Sequence, residues 1–273
     1  MPQLCYLCPV CAASLQLHQS AKHYACENNH HFDLAKEGYL NLLPVQHKGS
    51  GEPGDNQLMM QARREFLEAG YYEPMAKAVA MMIAANQPLE LLDLGCGEGY
   101  YSRKIAAHCR DKIRMHGLDI AKYAIRAAAK KQPTARFIVA SVNRLPYTDA
   151  YFDFALQIFA PANDRELRRV LKPSGLLLSV TPGPRHLWQL KQSIYAQVHE
   201  HSLEHTTPQG FERIDTQRIH YKIAPNPRHR IALLQMTPFI WRADDSTQQA
   251  IKELAELDIE TDFMLTLSIK TAG

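Results

Sequence analysis

From Glu90 onward the chain alternates short apolar runs with helical patterns, and this alternation constrains the fold more than any other feature. ELLDLG, RMHGLD, RFIVA and YFDFALQIF read as strands, and residues 101–109, 122–131 and 164–171 as helices. Strands joined through helices return to the same edge of the sheet, so they run parallel with right-handed crossovers. A further strand over 175–181 and a helix over 186–199 continue the pattern. FERIDTQRIHYKI and DFMLTLSIK then break it. The second alternates Phe263, Leu265, Leu267 and Ile269, and the two read as a closing antiparallel pair around a helical insert, NPRHRIALLQMTPFIWRA. The expected class is α/β. At 273 residues, 46% hydrophobic and 22% charged, the chain suffices for one large core and a small satellite. No run approaches the roughly 18 apolar residues of a membrane span, and no basic-then-apolar leader opens the chain, so a cytoplasmic protein with no membrane partner is expected.

The first strand runs into GCGEGYY, which puts Asp93, Gly95, Gly97 and Gly99 at a strand-to-helix turn. Glycines there let the backbone approach a ligand closely. The spacing is G-x-G-x-G, and the carboxylate before it would repel a pyrophosphate but suits a cationic group such as an amino acid ammonium. Asp119 ends the second strand, about twenty residues past the glycines, where an acid accepts hydrogen bonds from ribose hydroxyls. A nucleoside carrying an amino acid satisfies both acids.

Ahead of this unit, Cys5, Cys8, Cys11, Cys26, His30 and His31 offer six ligands where tetrahedral zinc takes four. Cys5/Cys8 and Cys8/Cys11 both have the two-residue spacer of a metal knuckle, and spacing alone leaves the choice open. Some forty residues cannot build a stable core unaided, so a structural metal would supply folding energy. HKGSGEPGD marks a boundary, and Asp55 is placed to cap a helix carrying Leu58, Met59, Ala62 and Phe66 on one face. A second helix begins at about Pro74. The expected domains are a ribbon over 1–40, a connector with two helices over 41–87, and the α/β unit over 88–273. Net charge is only +3, but residues 183–242 hold eight Lys/Arg against four acids, which favours phosphate contacts there.

ELLDLGCGEGYYSRKIA, MHGLDIAKYAIRAAAK, FIVASVNRLPYTDAYFDFAL and LRRVLKPSGLLLSVTPG resemble the successive motifs of class I S-adenosylmethionine-dependent methyltransferases. That resemblance implies a Rossmann-like, seven-stranded, mainly parallel sheet with its last strand antiparallel. It also implies S-adenosylmethionine across the carboxyl ends of the central strands. An acid often found near the adenine is here Ser141. CPVC, YACENNHHFDLAKEGYLNLLPVQHK, MMQARREFL, GYY and TPGPRHL further resemble the bacterial 23S rRNA guanine-N1 methyltransferases of the RlmA type. The resemblance implies an N-terminal zinc-ribbon, a guanine N1 acceptor of the 745 type in an rRNA hairpin loop, and a homodimer. It aligns Cys8, Cys11, Cys26 and His30 on one structural zinc, and puts cofactor contacts on Tyr72, Gly97, Glu98 and His186. Guanine N1 carries a proton that must leave, and Asp164 or His186 is the candidate base, although Asp164 also suits a helix cap. Phe159, Tyr71 or Trp188 could stack on the target base. Two rival functions are a small-molecule methyltransferase and a non-catalytic RNA-binding assembly factor.

Overall fold

The computed structural model describes residues 6–18, 22–44, 56–110, 112–202 and 207–271. Strands β1 (Gln16–His18), β2 (His23–Ala25) and β3 (His31–Asp33) form a small antiparallel sheet in the order β1-β2-β3. This ribbon packs directly on the larger unit. Tyr6 bridges to Tyr147, Leu7 N–H donates to the Pro146 carbonyl at 3.0 Å, and Cys8, Leu15 and Cys26 share one buried cluster with Leu92, Ile138 and Tyr147.

The main sheet is built from β4 (Leu40–Asn41), β5 (Glu90–Leu94), β6 (Arg114–Asp119), β7 (Arg136–Val139), β8 (Phe152–Ile158), β9 (Leu171–Pro182), β10 (Phe211–Ile223) and β11 (Ile259–Lys270). Its order is β10-β11-β9-β8-β5-β6-β7-β4. All seven expected strands are present, and β11 pairs antiparallel with both β9 and β10. The eighth strand corrects the expected count. Leu40–Asn41, at the expected ribbon boundary, adds parallel to β7 through Leu40 against Ile138, because a buried Leu beside an open edge completes the ladder there.

Helices α1 (Gln57–Glu68), α2 (Glu73–Asn86), α3 (Tyr100–Cys109), α4 (Lys122–Lys131), α5 (Asp164–Val170), α6 (Trp188–Gln192), α7 (Pro227–Gln235) and α8 (Asp245–Glu253) surround the sheet. Asn56 caps α1 by accepting from Met59 N–H, while Asp55 lies outside the described residues. The buried stripe of α1 is Met60, Ala62, Phe66 and Leu67, and Leu58, expected inside, is 75% exposed. The helix expected over 186–199 shrinks to the five residues of α6, since Leu187 adopts a left-handed φ of 57° and the chain beyond Ser193 runs as turns. Phe66, Met75, Val79, Ile83, Phe154 and Phe263 anchor the main core between the helices and the sheet. No helix among the described residues is long and apolar enough to cross a membrane.

Candidate active site and metal centre

Strand β5 delivers Asp93 into the interior at 3% exposure, where Ser102 Oγ donates to it at 2.5 Å. Burial, reinforced by the nearby charge of Asp119, pushes the Asp93 carboxyl up to about 7, although the Ser102 bond opposes this. The chain then turns through Gly95 at φ 66° and Gly97 at φ 55°. A Cβ at Gly95 would lie 2.5 Å from the Ala160 Cβ, so any side chain there collides with the end of β8. A Cβ at Gly97 would meet only Met60 Cε at 3.7 Å, so the turn fronts open space roofed by α1. Asp119 pins this turn. Its Oδ2 accepts from Gly97 N–H at 2.9 Å and its Oδ1 from Ala121 N–H at 2.8 Å. The cradle, with one acid beneath and one at its side, fits an adenosyl group carrying cationic sulfonium and ammonium centres.

Glu98 turns elsewhere. Its carboxylate is only 7% exposed and is gripped by Arg64 at 2.5 and 2.6 Å and by Lys131 at 3.2 Å. Burial would raise this carboxyl, but those two cations bring it below the ordinary range. The Glu98 side chain thus serves an ion-pair cluster that the sequence did not announce.

Tyr72 and His186 belong to one aromatic cluster. Tyr72 is 2% exposed, and its ring meets Phe66 and Phe263 edge-on at 5.1 and 4.9 Å. His186 sits 4.8 Å from Phe263 and 6.2 Å from Tyr72, and its Nδ1 accepts from Asp262 N–H at 3.2 Å. Burial, helped by the charge of Lys191, lowers the imidazole to about 3. A neutral ring that accepts at Nδ1 carries its hydrogen on Nε2. In this arrangement His186 presents an N–H at Nε2. Asp164 has a structural partner. It opens α5, its Oδ2 accepts from Gln209 N–H at 2.9 Å, and the cap of that helix is Asn163, which accepts from Glu166 N–H. Asp164 anchors the approach to β10.

Phe159 follows β8 directly with a left-handed φ of 51°, rare for an aromatic residue, and its N–H donates to the Val180 carbonyl. The ring is 45% exposed and stands 5.6 Å from His186. A bulky residue is thus held in a sparsely populated conformation at the carboxyl edge of the sheet. Tyr71, the other stacking candidate on that side, lies flat on Phe66 and bonds His229, so its ring is committed to the core. Trp188 is covered by the Arg185 guanidinium at 4.4 Å.

In the ribbon, Cys8, Cys11, Cys26 and His30 bring their ligand atoms within 4.8 Å of one another. Cys8 Sγ to His30 Nδ1 is 3.6 Å, Cys11 Sγ to Cys26 Sγ 3.7 Å, and Cys26 Sγ to His30 Nδ1 3.4 Å. Ligands about 2.3 Å (sulfur) or 2.0 Å (nitrogen) from zinc at tetrahedral angles lie roughly 3.5–3.8 Å apart, so this donor set has the size and chemistry of a structural zinc site. Asn28 donates to Cys11 Sγ at 3.3 Å. His31 instead bonds Asn29 and packs on His23, while Cys5 lies outside the described residues.

Five of the eight cations over 183–242 prove to be engaged internally. Arg185 pairs with Glu260 and Arg218 with buried Asp262. Arg228 pairs with Glu65, Arg230 bonds carbonyls of Pro225 and Leu254, and Lys191 is buried against His201.

Parallel strands with one inserted antiparallel strand, a glycine turn flanked by acids at their carboxyl ends, and a Cys/His ribbon define a class I methyltransferase with an N-terminal zinc-ribbon. Known proteins sharpen this. A family described as "RlmA, N-terminal" matches residues 6–51, and one described as "Methyltransferase domain" matches residues 91–175. The 23S rRNA (guanine(748)-N(1))-methyltransferase of Streptomyces fradiae is 33% identical over 257 residues, covering 90% of each chain. A putative 23S rRNA (guanine-N(1)-)-methyltransferase, YxjB, of Bacillus subtilis (strain 168) is 28% identical over 97% of each. A malonyl-[acyl-carrier protein] O-methyltransferase of Halorhodospira halophila is 30% identical, but over only 43% of each chain. The chain belongs to the 23S rRNA (guanine-N1)-methyltransferase family and is an S-adenosylmethionine-dependent rRNA methyltransferase.

Proposed function

We propose that this protein, acting in the cytoplasm as a homodimer, methylates N1 of a guanine in a hairpin loop of 23S rRNA. Similarity running through both ribbon and catalytic unit carries this reading, because the small-molecule relative shares only the central motifs. Guanine 745 is the proposed target, and guanine 748, named for the Streptomyces relative, is the other outcome of mapping. Four ligands, Cys8, Cys11, Cys26 and His30, hold one zinc ion.

Bound S-adenosylmethionine supplies an electrophilic methyl on sulfur, and the protein's task is alignment and exclusion of water. We assign the cofactor to Asp93, Gly95, Gly97 and Asp119, with Tyr72 and His186 closing one side and Glu98 contributing backbone. His186, a donor at Nε2, holds an acceptor oxygen without taking a proton. The N1 proton of guanine passes to water, since Asp164 is spent on Gln209. Phe159 stacks on the splayed guanine.

Labelled methyl transfer from S-adenosylmethionine to unmodified 23S rRNA, with nuclease digestion of the product, tests the function. 1-Methylguanosine is the expected nucleoside. No incorporation despite measured cofactor binding would transfer the assignment to a small-molecule acceptor. Phe159→Ala should cut kcat/KM for rRNA by about tenfold or more through lost stacking, worth about 1–3 kcal/mol per base, while cofactor affinity stays put. An unchanged kcat/KM would remove Phe159 from the acceptor site. The particle mass measured by sedimentation, that of one chain or of two, decides the dimer.

A further inference from the structure

Beside the cofactor turn, on the face of α4 that meets α1, lies a cavity of about 340 Å³ lined by Arg64, Tyr123, Arg126, Ala127, Lys130 and Lys131. Four of its six lining residues are cations. Two largely buried carboxylates answer them: Glu98 holds Arg64 and Lys131, and Glu37, at the exit of the ribbon, holds Arg126 at 2.8 Å. Glu68 stands 3.7 Å from Lys131 but is held at 2.5 Å by Arg103, so that pair cancels itself. Two positive charges are left over, and Lys130 is exposed with no ion pair among the described residues. Tyr123, 39% exposed, forms the wall, with its hydroxyl accepting from Arg64 at 3.2 Å.

We propose that this pocket binds backbone phosphate of the rRNA substrate; the inference rests on the function proposed above. Three observations favour a phosphodiester over a neutral ligand. The net charge is positive. The Arg126 guanidinium is held by Glu37 through Nε, which leaves its terminal nitrogens to a phosphate, and the Lys130 ammonium stays available beside it. The position also suits a polymer. α4 packs against the glycine turn so closely that a Cβ at Gly99 would touch Ala128 Cβ at 3.3 Å, which puts the pocket one helix face from the reaction centre. Glu37 ties its far side to the ribbon, so RNA crossing the pocket is fixed relative to both units. Because Glu98 lies in the turn itself, a phosphate drawing on Arg64 and Lys131 also shifts the partners of the cofactor cradle.

Binding of an unmodified 23S rRNA fragment to the intact protein should be measured against salt for wild type, Lys130→Gln, Arg126→Gln and Lys130→Arg. Each glutamine variant is expected to lose about three- to tenfold in RNA affinity near 0.1 M salt. Its plot of log affinity against log salt should be shallower by roughly 0.7–0.9 per contact, with S-adenosylmethionine affinity unchanged and Lys130→Arg like wild type. Glutamine variants with wild-type slopes would overturn this pocket and leave the methyltransferase reading intact. Failure of the wild type itself to bind rRNA would overturn both.

Discussion

Replacing Asp93 by asparagine is expected to weaken S-adenosylmethionine binding roughly a hundredfold, because truncating one partner of a buried charge pair costs about 2–5 kcal/mol. The buried carboxyl stands near 7 without ligand, held up by desolvation and by Asp119. A cationic ligand reverses that balance by favouring the ionised form, so binding should expel a proton below neutral pH. Wild-type affinity should rise from pH 6 to pH 8 and flatten above. The asparagine variant, which imitates the protonated acid, should show little pH dependence. The stability sign is the opposite. The folded value of about 7 exceeds the unfolded 3.8, so this group's contribution is complete below 3.8 and is lost as pH rises through about 7. The rise in Tm produced by the cofactor should therefore grow with pH. Calorimetry in buffers of different ionisation enthalpy reads the proton directly. Unchanged affinity in the variant would remove Asp93 from the site, and rRNA binding should persist in either case.

The strands and the glycine turn were legible because their signals are local. Apolar runs, alternation in β11 and the spacing of Gly95, Gly97 and Asp119 each depend on neighbours within one or two elements. The features that escaped depend on partners far along the chain. Nothing around Glu98 reveals that Arg64, 34 residues earlier, and Lys131, 33 later, would hold its carboxylate. Strand β4 is two residues long and exists only because β7 leaves an edge beside it. Clustered charge over 183–242 looked available to RNA, yet Asp262 on β11 pairs with Arg218 across the β10–β11 pairing and Glu260 pairs with Arg185 in the turn after β9. His186 read as a possible base or a cofactor contact, and its burial beside the Asp262 amide could not be seen in its neighbours along the chain. The left-handed backbone of Phe159 had no local herald such as glycine or asparagine. Spacing alone left Cys5 against Cys11 and His30 against His31 open, the resemblance aligned Cys8, Cys11, Cys26 and His30, and the fold brings those four together while His31 faces Asn29.

Loss of one thiolate should have the second large effect. Cys26→Ala is expected to abolish retention of about one zinc per chain, measured by elemental analysis, and to lower rRNA methylation a hundredfold or more. The ribbon's strands are three residues each, far too little apolar surface for independent stability. Structural zinc contributes on the order of 10–16 kcal/mol in isolated zinc peptides, so its loss unfolds such a unit outright. The seat of the ribbon sets how far that damage spreads. Tyr6 packs on Tyr147 at 5.5 Å and Leu7 bonds Pro146, in the connection between β7 and β8, whereas Phe66, Met75 and Phe263 build a separate core behind the cofactor turn. An unfolded ribbon therefore uncovers Tyr147 and loosens the cluster it shares with Leu92, Leu94 and Leu118, while Asp93 and Asp119 keep their bonds from Ser102 and from the amides of Gly97 and Ala121. S-adenosylmethionine affinity should stay within about threefold of wild type, and rRNA binding should fall at least tenfold. Equal loss of both would mean that the ribbon supports the catalytic unit's fold, and that its seat on Tyr147 rather than any contact with RNA is what the zinc secures.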